Sequence, residues 1–178
     1  NLSCPNTESG RDLFAHDPAA TAEVMAATAA CRRPRWAKLS PNTGAVAEVG
    51  AAAFGAGAEA LTLVNTVMGM AIDPETRTYR LGSGERGGGL SGAAIHPIAV
   101  RVVHDVHRLL PDVPIVGVGG VSDAPTAVEM LLAGATAVQV GTATFADPRA
   151  PRRVATDLEH WCRRRRLSAV RDLIGAIT

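Results

Sequence analysis

Residues 114–142 read PIVGVGGVSDAPTAVEMLLAGATAVQVGT. An apolar, β-branched run from Pro114 to Val118 stops at Gly119-Gly120. A stretch with helical spacing, Ala124 to Ala133, stops at Gly134. A second short apolar run, Ala137 to Val140, stops at Gly141-Thr142. Glycine just past the last periodic residue suits a helix end, because it takes the left-handed backbone conformation without a Cβ clash. Strand, helix and strand joined by short connections make a βαβ unit, which belongs to a parallel sheet.

The same alternation continues outward. Upstream, Asp17-Pro18 has the form of an N-cap with proline at the first helical position, and a helix is expected over Ala19 to Cys31. A short strand follows at Arg35 to Leu39, an Ala-rich helix at Ala45 to Ala56, and a strand at Ala60 to Asn65. A glycine-rich loop then runs from Thr66 to Gly92, with a small hairpin expected around Asp73 to Leu81. Helix resumes from His96 to Leu110, with Pro97 in its first turn. Downstream, two helices are expected at Pro151 to Arg165 and Ser168 to Ile174. Four strands fit an open doubly wound sheet or the second half of an eight-stranded barrel. The barrel is favoured because every unusual sequence sits just after a strand, on the face where barrel active sites lie.

Composition agrees with this class. The 178 residues suit one domain; 47% are hydrophobic but only 3% aromatic, so Ala, Val, Leu and Ile must fill the core. A net charge of +1 gives no global attraction for nucleic acid or an anionic membrane. Arg32, Arg33 and Arg35 flank a turn and Arg163 to Arg166 end a helix, with no interleaved aromatics to stack bases. Cys4, Cys31 and Cys162 are too scattered for a disulfide framework or a zinc site, which points to a reduced, cytoplasmic setting with no metal. His96, His104 and His107 lack metal-ligand spacing and read as solvated; Trp36 and Trp161 read as packing residues. No apolar run is long enough to span a bilayer and no signal peptide is evident, while the chain opens on Asn1 as if cut from something longer.

Four places carry candidate chemistry. Gly119-Gly120 and Gly141-Thr142 end consecutive strands and expose backbone N–H groups side by side, which suits a phosphate; the alternative is that the glycines only make tight turns. No GxGxxG follows Ile115 to Val118, so a Rossmann dinucleotide site is not expected. Asn1-Leu2-Ser3-Cys4-Pro5-Asn6 places a thiol between polar groups that suit an amide-rich ligand, or is an ordinary turn with an idle thiol. Lys38 lies in an apolar strand, where it either meets an anionic cofactor or snorkels from an edge. Asn65-Thr66 brings amide and hydroxyl groups to the same face.

These motifs occur in order with Lys38-Leu39-Ser40-Pro41, Asn65 through Asp73, Gly88-Gly89-Leu90-Ser91-Gly92, Gly117 through Val121 and Val138 through Ala143. The series resembles the dihydroorotate dehydrogenases across essentially the whole chain. Cys4 is similar to class 1 members, and the Asn-Thr-Val-Met-Gly-Met and Gly-Gly-Leu-Ser-Gly runs to class 1B. The resemblance implies one partial FMN-binding (β/α)8 TIM-barrel domain over residues 1–178, its C-terminal half, with the N-terminal strands absent. It implies oxidation of dihydroorotate to orotate with hydride transfer to FMN in UMP biosynthesis. Cys4 would be the catalytic base; Asn1, Asn6, Asn65 and Thr66 would bind substrate. Asn1, Lys38, Val64, Gly92, Gly119, Gly120, Gly141 and Thr142 would hold FMN. Implied partners are an iron–sulfur FAD electron-transfer subunit, with NAD as final acceptor, and a second copy in a homodimer core. The alternatives are an FMN-dependent pyrimidine reductase like that of dihydropyrimidine dehydrogenase, and a non-catalytic half-barrel that binds flavin or phosphate.

Overall fold

Asp17 opens the first helix by accepting the Ala19 amide at 2.9 Å, with Pro18 as the first helical residue. The computed structural model describes residues 1–3, 14–81 and 84–177. In it α1 is Pro18–Ala27, shorter than the sequence suggests, and Ala29–Cys31 form a 3-10 turn before a left-handed Arg32. Then come β1 (Trp36–Lys38), α2 (Val46–Gly55) and β2 (Ala60–Leu63). An excursion carries β3 (Val67–Gly69), β4 (Ile72–Asp73), β5 (Thr78–Tyr79) and β6 (Gly88–Leu90). The chain returns through α3 (His96–Leu109), β7 (Ile115–Val118), α4 (Ala124–Leu132) and β8 (Ala137–Gln139). It ends in α5 (Ala143–Ala146), α6 (Ala150–Arg164) and a 3-10 turn at Val170–Leu173.

The main sheet has the order β1-β2-β7-β8 and every pair is parallel. This is the α/β arrangement expected of part of a TIM barrel. Lys38 pairs with Thr62, Leu63 with Gly117 and Val118 with Gln139, so all four strands end at one edge of the sheet. The core lies between the strands and α2, α3 and α4: Leu39, Leu61, Leu63, Ile115, Val49, Val103, Val106 and Met130 are sealed from solvent. Each such side chain stabilises the fold by roughly 1.5–3 kcal/mol through apolar burial. A second cluster of Val128, Leu131, Cys162 and Leu173 fastens α6 and the last turn to the outside of α4. Among the described residues no helix is long and apolar enough to cross a membrane.

Four expectations are corrected. Trp36 is 54% exposed, because strand alternation turns Ala37 inward and sends Trp36 out. His96 is buried rather than solvated, since the end of β7 packs against it. Ser168 to Ile174 forms only one 3-10 turn, held by Asp172, whose carboxylate accepts from Ser168 Oγ and the Ala169 amide. The loop from Thr66 to Gly92 contains the expected hairpin, β4 with β5, but also the unexpected antiparallel pair β3 and β6. Gly88 and Gly89 are poor strand formers, so local sequence does not announce β6.

Asp123 caps α4 by accepting the Thr126 amide at 3.0 Å and the Thr126 hydroxyl at 2.7 Å. These bonds, chiefly the backbone one, hold its carboxyl below the ordinary carboxylate range, against some desolvation and with help from His96 and Arg153. Asp123→Ala is expected to cost about 1 kcal/mol in denaturant unfolding at neutral pH. A depressed folded pKa stabilises above the unfolded value and fades as pH falls through the folded one. The gap between wild type and variant should therefore close on acidification; a gap that widens toward low pH would refute the assignment.

Candidate active site

The aligned strand ends make one concavity. Lys38 from β1, Val64, Asn65 and Thr66 after β2, Val118, Gly119 and Gly120 from β7, and Gly141 and Thr142 after β8 all line it. Ser91, Gly92 and Ile95 close it from the segment between β6 and α3. Nine residues singled out in the sequence thus come together: Lys38, Val64, Asn65, Thr66, Gly92, Gly119, Gly120, Gly141 and Thr142. Asn1 lies beside them rather than in the lining. Cys4 and Asn6 lie outside the described residues.

Hydrogen bonds fix the loops around this hollow. Leu2 donates its amide to the Lys38 carbonyl at 3.2 Å, which runs the start of the chain alongside the end of β1. Asn65 Nδ2 donates to Ser3 Oγ at 2.8 Å, to the Ser3 carbonyl at 3.1 Å and to Asn1 Oδ1 at 3.2 Å. Its Oδ1 accepts the Thr66 amide at 2.8 Å. The Asn65 amide therefore fixes residues 1–3 as well as facing the hollow. Thr142 Oγ1 donates to Ser91 Oγ at 2.9 Å and so ties the β8 end to the loop after β6.

The hollow suits an anion. Among the described residues Lys38 is its single lining cation and no carboxylate lines it. Among the described residues Lys38 forms no ion pair. The backbone N–H groups of Gly120, Gly141 and Thr142 likewise donate to no acceptor among the described residues. Unpaired amides that converge beside a cation form a concave donor set of the kind that binds phosphate. No side chain fits at Gly120: its Cβ would stand 2.8 Å from the Gly92 carbonyl oxygen and 2.7 Å from His96 Cβ. Among the described residues no group of three or more His, Cys, Asp or Glu could hold a metal.

The sequence did not single out Asn42, Ser91, Ile95 or Val118. Ser91 stood in the Gly-Gly-Leu-Ser-Gly run without a role. Asn42 directly follows Ser40-Pro41, and its contribution is purely tertiary: Nδ2 donates to the Thr66 carbonyl at 3.0 Å, and Oδ1 accepts the Met68 amide at 2.9 Å.

Comparison with known proteins gives the family. Residues 1–162 match the family model described as dihydroorotate dehydrogenase. Over 178 residues the chain is 47% identical to a protein of Solibacter usitatus assigned to the dihydroorotate dehydrogenase A (fumarate) type. It is 46% identical over the same length to the dihydroorotate dehydrogenase B (NAD(+)) catalytic subunit of Trichlorobacter lovleyi, and 45% identical to that of Pelobacter propionicus. In each case the match covers 99% of this chain and 58% of the relative.

Asn42 spans the loops after β1 and β2, so Asn42→Ala should loosen the second of them. The Met68 amide is expected to exchange with solvent about tenfold faster in the variant, as suits the loss of one hydrogen bond. Amide exchange followed by NMR or mass spectrometry measures this, and an unchanged Met68 rate would contradict the bridging role.

Proposed function

This chain belongs to the dihydroorotate dehydrogenase family, and on that premise we propose that it carries the flavin- and substrate-facing portion of an enzyme that oxidises dihydroorotate to orotate. The observation that supports this best is the convergence of nine sequence-selected residues on one hollow with a cation and unpaired amides. The family's enzymes are flavoproteins, and FMN is the flavin whose single terminal phosphate matches the cradle of Gly92, Gly119, Gly120, Gly141 and Thr142. When bound, FMN supplies the two-electron acceptor for oxidation of the C5–C6 bond.

The chain's own residues divide the remaining work. Cys4 Sγ takes the C5 proton. Lys38 Nζ would offer positive charge to a bound flavin and stabilise negative charge developing on it. The Val64 backbone would help hold the flavin. Asn65 and Thr66 hold the substrate with Asn1 and Asn6, whose amides match the alternating donors and acceptors of a pyrimidine. Residues 1–178 are then one partial barrel domain. For electron flow we propose the B type, with an iron–sulfur FAD subunit passing electrons to NAD and a homodimer of catalytic subunits at its centre. The relatives of Trichlorobacter lovleyi and Pelobacter propionicus, which bear that type's name, support this choice.

Flavin absorbance and fluorescence test the binding claim. The chain should hold FMN stoichiometrically, and orotate should perturb the flavin spectrum; a response to uracil in place of orotate would move the assignment to a reductase of uncharged pyrimidines. In the intact enzyme, Cys4→Ala should abolish dihydroorotate oxidation while FMN stays bound, and full turnover in that variant would refute the role of Cys4. Turnover of the unaltered enzyme should climb with pH toward the ionisation of a free thiol, at about 8.5. A flat profile from neutral to alkaline pH would count equally against a thiolate base.

A further inference from the structure

His96 is a buried titratable group with no part in the chemistry above. It stands at the first position of α3, just behind the Gly119-Gly120 turn, and is 7% exposed. Its Nδ1 lies 2.7 Å from the Gly119 carbonyl oxygen. A carbonyl only accepts, so Nδ1 must carry a proton and donate it. Its Nε2 is sealed from solvent, not aligned in any hydrogen bond, and 3.3 Å from the Glu129 carboxylate. With a carbonyl facing one nitrogen and a carboxylate the other, both partners are acceptors.

We propose that His96 is a positioning residue for the phosphate cradle: its Nδ1–H pins the Gly119 carbonyl and thereby aims the Gly120 N–H at the bound phosphate. The inference rests on the reading of Gly119-Gly120 as that cradle. Gly119 has φ 140° and Gly120 has φ 70°, both in the region that favours glycine. Two adjacent glycines leave the peptide between them free to rotate unless something holds it. That peptide is trans, so its carbonyl and N–H point to opposite sides. With the oxygen held against α3, the N–H faces the other way, on the side of the hollow that Gly120 lines. The packing leaves little play: a Cβ on Gly120 would stand 2.7 Å from His96 Cβ, and one on Gly119 2.6 Å from Ala99 Cβ.

The charges around His96 come from α4 and α6. Glu129 pairs with Nε2, and the Asp123 carboxylate feels both His96 and Arg153. Neither β7 nor the loop at Gly92 brings a charged side chain to the ring. Glu129 is 57% exposed in its side chain, so it steers the ring rather than holding it. The essential contact is the one to Gly119.

The test compares FMN with riboflavin, which has the same ring system and no phosphate, by fluorescence titration of the full chain. His96→Leu should weaken FMN binding by about five- to tenfold, the effect of one misdirected hydrogen bond, and leave riboflavin within about twofold. His96→Asn, whose amide nitrogen can stand near the position of Nδ1, should restore FMN to within about threefold of wild type. If His96→Leu does not fold, His96→Asn decides: a folded variant with its FMN preference kept supports the pin, and one that has lost the preference overturns it. Equal weakening of both flavins in His96→Leu would mean a structural role only, and an intact FMN preference would mean no role; either ends this inference alone. A wild-type chain that holds FMN no tighter than riboflavin ends the phosphate reading, and this inference with it.

Discussion

Four strands hydrogen-bonded in parallel and in step must end together. Register does the rest of the work in this chain: with Lys38 opposite Thr62, Leu63 opposite Gly117 and Val118 opposite Gln139, the residues that follow each strand have one shared space to enter. A slip of one residue would turn every inward side chain outward. The register is kept because the inner positions Ala37, Leu61, Leu63 and Ile115 are packed against α2, α3 and α4 without room for the alternative. The hollow is therefore a consequence of core packing some distance from it.

What the register gathers, the loops then hold. A parallel strand end leaves backbone donors without ladder partners, and buried or crowded donors of this kind need an acceptor. Here some are satisfied within the protein, as where Val64 donates to the Val118 carbonyl and Asn65 to the Leu39 carbonyl. Others, at Gly120, Gly141 and Thr142, meet no acceptor among the described residues. Asn42, Asn65 and the pair Ser91 and Thr142 cross-link loops that come from different strands. The antiparallel pair of β3 and β6 returns the chain from its excursion so that Ser91 and Gly92 arrive over the hollow. Binding geometry and loop rigidity are thus supplied by the same side chains.

Much of this was legible in the sequence because it is encoded locally. Asp17-Pro18 is a cap signal that needs only its neighbours, and the cap forms. Strand-helix alternation implied parallel pairing, and glycines at strand ends implied close backbone approach. The failures are tertiary. His96 read as one of three solvated histidines, because its partner, the Gly119 carbonyl, comes from 23 residues away. Trp36 read as a packing residue, although alternation along a short strand sends it outward. Asn42 drew no reading at all, since nothing adjacent in sequence reveals that it reaches Thr66 and Met68.

We propose that the four strand ends form a single flavin-phosphate site, and NMR titration of backbone amides with FMN, with riboflavin as reference, is its most direct test. The shifts specific to FMN should concentrate at Gly92, Gly119, Gly120, Gly141 and Thr142, residues separated in sequence and brought together by the fold. Shifts centred instead on the groove between α2 and α3, lined by Thr43, Val46 and Leu109, or spread without focus, would contradict it.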